Sequence, residues 1–579
     1  MAYEATAPAG AQVRGDMRAL RKRLDTRHGV LKAELISSGN RDWWRDIADF
    51  MAPMRGRWLT SDTIQKGKRN NVHIKDEEGI LAARICTSGM MAGMSSRSRQ
   101  WFRLVTKDRL LMESAVVRVW LSQVETIMRQ VLHSSNFYDC MHTFYGELCR
   151  FGTAAMIIFE DYEDVLRCET LTVGEYVLAQ NARRFCDTMY REFEMTCGQM
   201  DEAGFKLSPT LQAKKDRNEA GWRDSKHVVA HCISPNHDRI VGRSDDQHKP
   251  FMSVYWLQNC DEEGGGILQF KGFDENPLIA CRWETTGNDT YGHGPGHVSL
   301  QAVKQLQFET RAKAKGIEKS LNPPMQGPAS LKDGFVDLVP GGITYHDDRP
   351  GNKGLRQVYE GWRPDIEAVS KDITDVRRRV REIFYADLFF AISQMEGVQP
   401  RNEFELVERK EEKLVGLGPV VDRLHREALD TTIDRVWAIL NRAFVAGGPL
   451  LPTAPDRLRG EQVDVDYVSP LAQAQKALGI GNIERAMGFL GNLSGAFPEA
   501  RDKLNVDATV DDYFDRMALP PALVNDKKTV AAMRAARSQQ EQVAQLAALA
   551  GPAKDGAAAV ELLSRTDAGR PTSVPLRPY

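Results

Sequence analysis

The sequence lacks any hydrophobic run long enough to cross a membrane. Its most apolar stretches, such as Ala154-Ala155-Met156-Ile157-Ile158-Phe159, extend for about six residues, where a span needs roughly 20. The first residues, MAYEATAPAG, show no basic segment followed by an apolar one, so no secretory signal is expected. The nine cysteines are odd in number and never form CxxC, which points to buried thiols in a reducing compartment and away from a disulfide framework or a zinc site. No GxxxxGK[ST] occurs, so nothing cradles ATP in the Walker manner. HExxH, GxSxG and a strand-bounded GxGxxG are missing too. In a chain of 579 residues these absences weigh against an enzyme, and no cofactor is expected. There is also no excess of either charge. The 77 Lys+Arg against 79 Asp+Glu give a net charge of -2, which excludes a uniformly basic nucleic-acid binder but leaves the distribution of charge open.

What is present describes a large folded protein, with 42% hydrophobic and 27% charged residues. The length allows about three to five domains or one large multi-layered body. Patterning predicts a mainly α protein with an inserted β-rich region, an α+β class. Residues 11–50 read as helical, with Leu20, Leu24, Val30, Leu31, Leu35 and Ile36 near a helical period. A basic loop at 60–75 precedes a helix from Asp76 to Met94, whose small residues permit close packing. Residues 111–150 give two helices split near Ser134-Ser135-Asn136. From Phe151 to about 290, β-branched and aromatic runs alternate with turns: Ala154–Glu160, Lys226–Ile233, Met252–Leu257, Gly266–Phe270 and Leu278–Trp283. Helix returns at 297–320 and stops at Asn322-Pro323-Pro324. A Gly/Pro-dense mixed segment fills 322–362, and a further helix runs from Pro364 to Phe390. The loop Ser393–Asn402 leads into a long helical segment, 403–445, which Gly416-Leu417-Gly418-Pro419 should kink or break. Residues 470–550 read as mostly helical, and 551–579 as a mobile tail rich in Pro, Gly, Ala and Ser.

Two helices flanking the Gly/Pro-dense segment concentrate basic charge. Lys304, Arg311 and Lys315 fall within roughly a 40° stripe at about 100° per residue. Arg377, Arg378, Arg379 and Arg381 follow Asp372 and Asp375 by about one turn, and Asp375 with Arg379 is an expected i,i+4 pair. Such a face either meets solvent or faces a polyanion, touching phosphates without reading bases. Other clusters carry less. His227 and His231 would share a strand face about 13 Å apart, too far for one metal ion. Asp161/Glu163/Asp164 and Asp261/Glu262/Glu263 read as solvated turns rather than a two-metal nuclease site. Gly292–Gly296 reads as a tight turn into a helix. Trp43-Trp44 and Trp101-Phe102 read as core or subunit contacts rather than base-stacking platforms.

Several segments, taken in order, resemble the head-to-tail connecting (portal) protein family of short-tailed, podovirus-like bacteriophages. They are Trp43-Trp44-Arg45-Asp46-Ile47-Ala48-Asp49-Phe50-Met51-Ala52-Pro53, Ala82-Ala83-Arg84, Met90-Met91-Ala92-Gly93-Met94 and Trp101-Phe102-Arg103-Leu104. Tyr291-Gly292-His293-Gly294-Pro295-Gly296, Leu417-Gly418-Pro419-Val420-Val421-Asp422-Arg423-Leu424 and Tyr467-Val468-Ser469-Pro470-Leu471-Ala472 continue the series. The likeness spans about 30–480.

The resemblance implies a cyclic homo-oligomer, a ring of twelve, at one capsid vertex in the virion, assembled in the host cytoplasm without membrane association. It implies a channel for duplex DNA, contacted without regard to sequence. It also implies docking of the terminase large subunit, then of head–tail adaptor and tail proteins, together with scaffolding and major capsid proteins. Carried onto this chain, the wing is 1–296 and the stem helices are 297–320 and 364–390, with the clip at 321–363. The channel loop is 391–402, the broken helix returning to the wing 403–465, the crown 466–550 and the tail 551–579. Channel candidates are Lys304, Arg311, Lys315, Gln394, Glu396 and Arg401. Asp375, Arg377, Arg378, Arg379 and Arg381 form a stem charge network. The alternatives are a nucleic-acid-processing enzyme such as a terminase-like nuclease, and a structural oligomer without a channel.

Overall fold

The computed structural model describes most of residues 9–55, 74–327, 365–389 and 416–471, with short pieces at 356–358 and beyond 485. The loop 391–402, most of the expected clip and crown, and the tail 551–579 lie outside the described residues.

The N-terminal pattern folds as two helices, α1 (Ala9–Ser37) and α2 (Asn40–Met51), rather than the continuous one expected. Leu20, Leu24, Leu31 and Leu35 line the buried side of α1, and Trp44, Ile47 and Met51 that of α2. Next comes α3 (Glu78–Met94), whose small residues let other elements approach its backbone. A Cβ on Gly89 would lie 2.1 Å from the ring of Phe389, and one on Gly93 would lie 2.5 Å from a Leu471 methyl. Both glycines are notches that seat a distant side chain.

Strand β1 (Phe102–Thr106) and the short α4 (Arg109–Met112) precede α5 (Ala115–Ser134) and α6 (Phe137–Phe151). The split falls at the expected Ser135-Asn136. Where α3 and α6 meet, the Sγ atoms of Cys86 and Cys149 are 3.0 Å apart and buried. All nine cysteines are free thiols.

The β-rich region forms two antiparallel sheets. One has three strands in the order β3-β2-β9, from β2 (Thr153–Asp161), β3 (Val165–Leu171) and β9 (Leu278–Arg282). The first six residues of β2 are all buried, because both faces of the sheet are covered, so that strand reads as a continuous apolar run instead of alternating. The other sheet is a meander of β4 (Tyr176–Gln180), β5 (Cys186–Thr196), β6 (Lys226–Pro235), β7 (Phe251–Leu257) and β8 (Ile267–Phe273). Two short helices that patterning does not reveal, α7 (Cys197–Glu202) and α8 (Pro209–Asp216), cover part of it around Trp222, Met200 and Tyr255. Thr196 with Gln199, and Ser208, cap them.

Helix α9 (Pro295–Leu321) exceeds its expected 297–320 by a residue or two at each end. Strands β10 (Met325–Gln326) and β11 (Arg356–Gln357) pair beyond it. Helix α10 (Ile366–Ile383) stops short of the expected Phe390 at a turn where Tyr385 has φ 54, and a short helical piece then carries Phe389. Residues 416–442 are helical, with Pro419 in the first described turn; the residues before 416, which the expected kink or break concerns, lie outside the described residues. This helix contains a π turn at His425–Leu429, and its last part is α11 (Asp430–Arg442). Strand β12 (Val463–Tyr467) returns to pair with β1, more than 350 residues away in the chain. The far helix α12 (Lys527–Leu549) falls within 470–550, the stretch expected to be mostly helical.

Candidate nucleic-acid interface

The helix pair α9–α10 is built on α3. Helices α9 and α10 pack on each other and on α3 through Leu300, Val303 and Leu306 from one and Ile373, Val376 and Val380 from the other, all buried. The tight turn Gly292–Gly296 starts α9: the N–H of Gly292 donates to Thr153 Oγ1, and a Cβ on Gly296 would meet the Arg150 carbonyl at 2.0 Å. His297 Nδ1 accepts from the Gly294 N–H at 3.2 Å, and burial holds its pKa down to about 3, so the ring is neutral. Trp43 lies edge-on to that ring at 4.9 Å, while Trp44 and Trp101 are core residues.

Electrostatics fixes α10 to the start of α3 at Asp76 and Glu78. Asp76, with a side chain only 1% exposed, accepts from Arg377 Nε at 3.0 Å and Nη2 at 2.7 Å. Its other oxygen accepts the Glu78 N–H at 3.0 Å at the start of α3. Gln307 of α9 brackets the same residue, donating to its carbonyl and accepting from its N–H. One turn on, Arg381 donates to Glu78 at 2.6 and 3.1 Å, and this carboxylate holds the guanidinium pKa above its ordinary value. One buried residue, through its carboxylate and its main chain, therefore ties α9, α10 and α3 together.

The basic residues expected to act together therefore divide. Arg377 and Arg381 are joined to α3. Arg379 donates to Gln305 of α9 at 3.4 Å, while Asp375 pairs with Arg378 at 4.0 Å. The i,i+4 pair expected between Asp375 and Arg379 is thus replaced by an i,i+3 contact, because Gln305 draws Arg379 across the helix pair. Lys304 is tied to Asp46 of α2 at 2.6 Å and lies over the Phe50 ring. Arg311 and Lys315 are exposed on the same stripe. Gln394, Glu396 and Arg401 lie outside the described residues.

The rival clusters have structural partners. His231 is fully buried, accepts from Arg191 Nε at 3.1 Å, pairs with Ser253 at 3.0 Å and stacks on Tyr255; burial lowers its pKa well below the ordinary value. Asp161 accepts the backbone N–H groups of Glu163 and Asp164 in a hairpin turn, which lowers its pKa. Asp261, Glu262 and Glu263 are outside the described residues. Among the described residues there is no group of three or more side chains that could hold a metal, and no helix is long and apolar enough to cross a membrane.

Sequence reasoning missed Asp76 and Glu78, which read only as a helix start. It also missed the buried pair in which Arg282 Nη2 of β9 donates to Glu427 in the π turn at 2.7 Å. The local signal was an acidic residue just before a helix, and it names no partner.

Helices α9 and α10 are thus held to α3 through the buried carboxylates of Asp76 and Glu78, with Arg311 and Lys315 left exposed. The chain belongs to the bacteriophage head to tail connecting protein family, whose family model matches residues 21–524. It is 38% identical over 532 residues to the portal protein of Salmonella phage epsilon15, covering 92% of this chain and 93% of that one. It is likewise 38% identical over 541 residues to the probable portal protein of Bordetella phage BPP-1, covering 93% and 95%. Among solved structures it is similar to a chain of the native gene transfer agent virion, at TM-score 0.32 and 12% identity over 82% of this chain and 99% of that one. A chain from the neck of the native particle, computed with C12 symmetry, gives 0.30 and 11% over 75% and 93%. Family membership makes the chain a head-tail connector at a capsid vertex of the virion, a ring-forming structural protein and not an enzyme.

Proposed function

We propose that twelve copies form a ring around duplex DNA, threading it during packaging and ejection. In this reading 1–296 is the wing, the helices within 297–320 and 364–390 the stem, 321–363 the clip, 391–402 the channel loop, 403–465 the return to the wing and 466–550 the crown. The observation that carries it is the division of the stem charges. Arg377, Arg381 and Lys304 are consumed within the subunit, while Arg311 and Lys315 remain exposed on one stripe of a clamped helix.

One exposed Arg or Lys per subunit becomes a closed ring of positive charge. Such rings attract phosphate without binding one register, which is what a moving duplex requires. Gln394, Glu396 and Arg401 would add polar and charged rings from the channel loop. With no ATP cradle in the sequence, motive force comes from a docked terminase large subunit. Head–tail adaptor and tail proteins replace the motor later, and scaffolding and major capsid proteins surround the ring during assembly.

Negative-stain imaging and native mass spectrometry of the full chain test the reading. The expected result is a cyclic twelve-subunit particle with a hole about as wide as duplex DNA; a monomer or a solid particle overturns it. Arg311→Glu with Lys315→Glu should give normal rings with impaired DNA packaging or retention. Normal packaging by such rings removes both residues from the channel.

A further inference from the structure

Two cysteines meet at the centre of the helical part. Cys86 on α3 and Cys149 on α6 are both fully buried, and their Sγ atoms lie 3.0 Å apart although 63 positions separate them in the chain. Other thiols are differently placed: Cys140 donates to the Cys168 carbonyl at 3.3 Å, and Cys232 to the Ser234 hydroxyl at 3.6 Å. The helix faces that carry the pair are sealed from solvent, with Ala82, Ala83 and Met90 buried on α3 and Tyr145 and Leu148 on α6. A covalent S–S bond is about 2.05 Å long, so the two sulfurs need to approach by only about 1 Å to be joined.

We propose that Cys86 and Cys149 form a dithiol modification site, which a small hydroperoxide oxidises to a disulfide joining α3 to α6 after the particle leaves the cell. The inference goes beyond the ring reading and does not depend on it. One thiol, as its thiolate, attacks a peroxide oxygen. An S–O bond forms and the O–O bond breaks, and the released hydroxide takes up the proton that the thiol lost. The product is a sulfenic acid and one water. The second thiolate then attacks that sulfur: the S–S bond forms, the S–O bond breaks, and a second water leaves with the remaining thiol proton. The sulfurs lose two electrons and the peroxide gains them, so two thiols and one hydrogen peroxide give one disulfide and two waters.

Burial sets the timing. It raises the pKa of Cys86 well above that of an ordinary thiol; the neighbouring thiol adds to this and Arg150 partly opposes it. Little thiolate is therefore present near neutral pH, and oxidation is slow. The same packing keeps bulky thiol reductants away from the product. A virion protein is made in a reducing cell and then persists in an oxidising medium. A slow, sealed pair stays open through assembly and closes afterwards. Once closed, it fastens to α6 the same helix that seats Phe389 and Leu471.

Peptide mapping of the full-length protein tests this. Protein purified with a reductant is freed of it, held natively with hydrogen peroxide, then unfolded in N-ethylmaleimide and digested without reduction. A peptide pair linked through Cys86 and Cys149 should appear, with neither residue linked to any other cysteine. Sulfinic acid at either residue without linkage, mixed pairings, or two thiols that both remain alkylatable overturn the proposal. The linked protein should melt at least about 3 °C higher than the reduced protein, because the bond closes a long loop in the unfolded chain. An unchanged melting temperature in fully linked protein refutes the fastening. In Cys149→Ala, Cys86 should stop at the sulfenic acid, which dimedone labels, and peroxide should raise no melting temperature. A rise of the same size in that variant also refutes it.

Discussion

Replacing Asp76 by Ala removes the carboxylate that joins α10 to the start of α3 and leaves the main-chain bonds of residue 76 to Gln307 in place. The carboxylate accepts two bonds from Arg377 and one from the Glu78 N–H, with Thr310 Oγ1 at 3.4 Å. Breaking a buried ion pair costs about 3–5 kcal/mol when the surviving charge is stranded. Here the survivor, the Arg377 side chain, is 44% exposed, so water takes over its solvation. The loss falls to about 2–3 kcal/mol, the range of one or two charge-assisted bonds. Local opening of the α9–α10 pair from α3 should then be about 30- to 140-fold more frequent. Amide hydrogen exchange reads this directly. Amides of α9 near Gln307, of α10 near Arg377 and of the first turn of α3 should exchange faster by that factor, while the β4–β8 meander stays unchanged. Asp76→Asn, which keeps an acceptor for the Glu78 N–H, should fall between. Acceleration of less than about threefold at those sites, or an equal acceleration in the meander, would refute the clamp.

Glu427→Gln should cost more than Asp76→Ala, about 3–5 kcal/mol, because Arg282 and Glu427 are both nearly sealed from solvent, at 6% and 4% exposed, and the arginine is left charged; a smaller shift in denaturation midpoint than that of Asp76→Ala contradicts this. Gly89→Ala forces a methyl onto Phe389 and should destabilise by about 1–3 kcal/mol. Adding Phe389→Ala should recover part of that loss in a double-mutant cycle, and strict additivity would show that the two do not touch. The pKa of His297, lowered to about 3 in the folded chain, makes stability fall as pH drops below the unfolded value of about 6.5, by up to about 1.4 kcal/mol per pH unit. Burial also lowers the pKa values of His28 and His231, so His297→Gln should remove only its own share of the loss between pH 7 and pH 5. Identical pH dependence in wild type and variant would rule out the titration of His297.

Periodicity made the helices legible because each helix buries one face locally: the spacing of Leu20, Leu24, Leu31 and Leu35 is visible without knowing what covers them. The strands β6 to β9 were legible through their β-branched and aromatic runs. Pairings between distant residues were not. Arg377 and Asp76 stand 301 positions apart, and Arg282 and Glu427 stand 145 apart, so no local pattern joins them. The Asp375–Arg379 expectation failed for the same reason: helical spacing describes an isolated helix, and here Gln305 on the neighbouring helix competes for the arginine. Likewise Lys304 reads as one of three equivalent cations until Asp46 is brought beside it.

The two notches on α3 have a mechanical consequence. Phe389, just before the segment at 391–402, and Leu471, at the entrance to the region beyond 470, are seated on one rigid helix a single turn apart. The same helix is pinned at its other end to α9 and α10 by Asp76 and Glu78. A displacement of α9 or α10 therefore reaches α3 through two ion pairs and leaves through two hydrophobic sockets, bypassing the covalent connections between these parts. Parts far apart in the chain are held at fixed distances by one short strut, and a push on any of them is shared with the others within a single subunit before the ring responds.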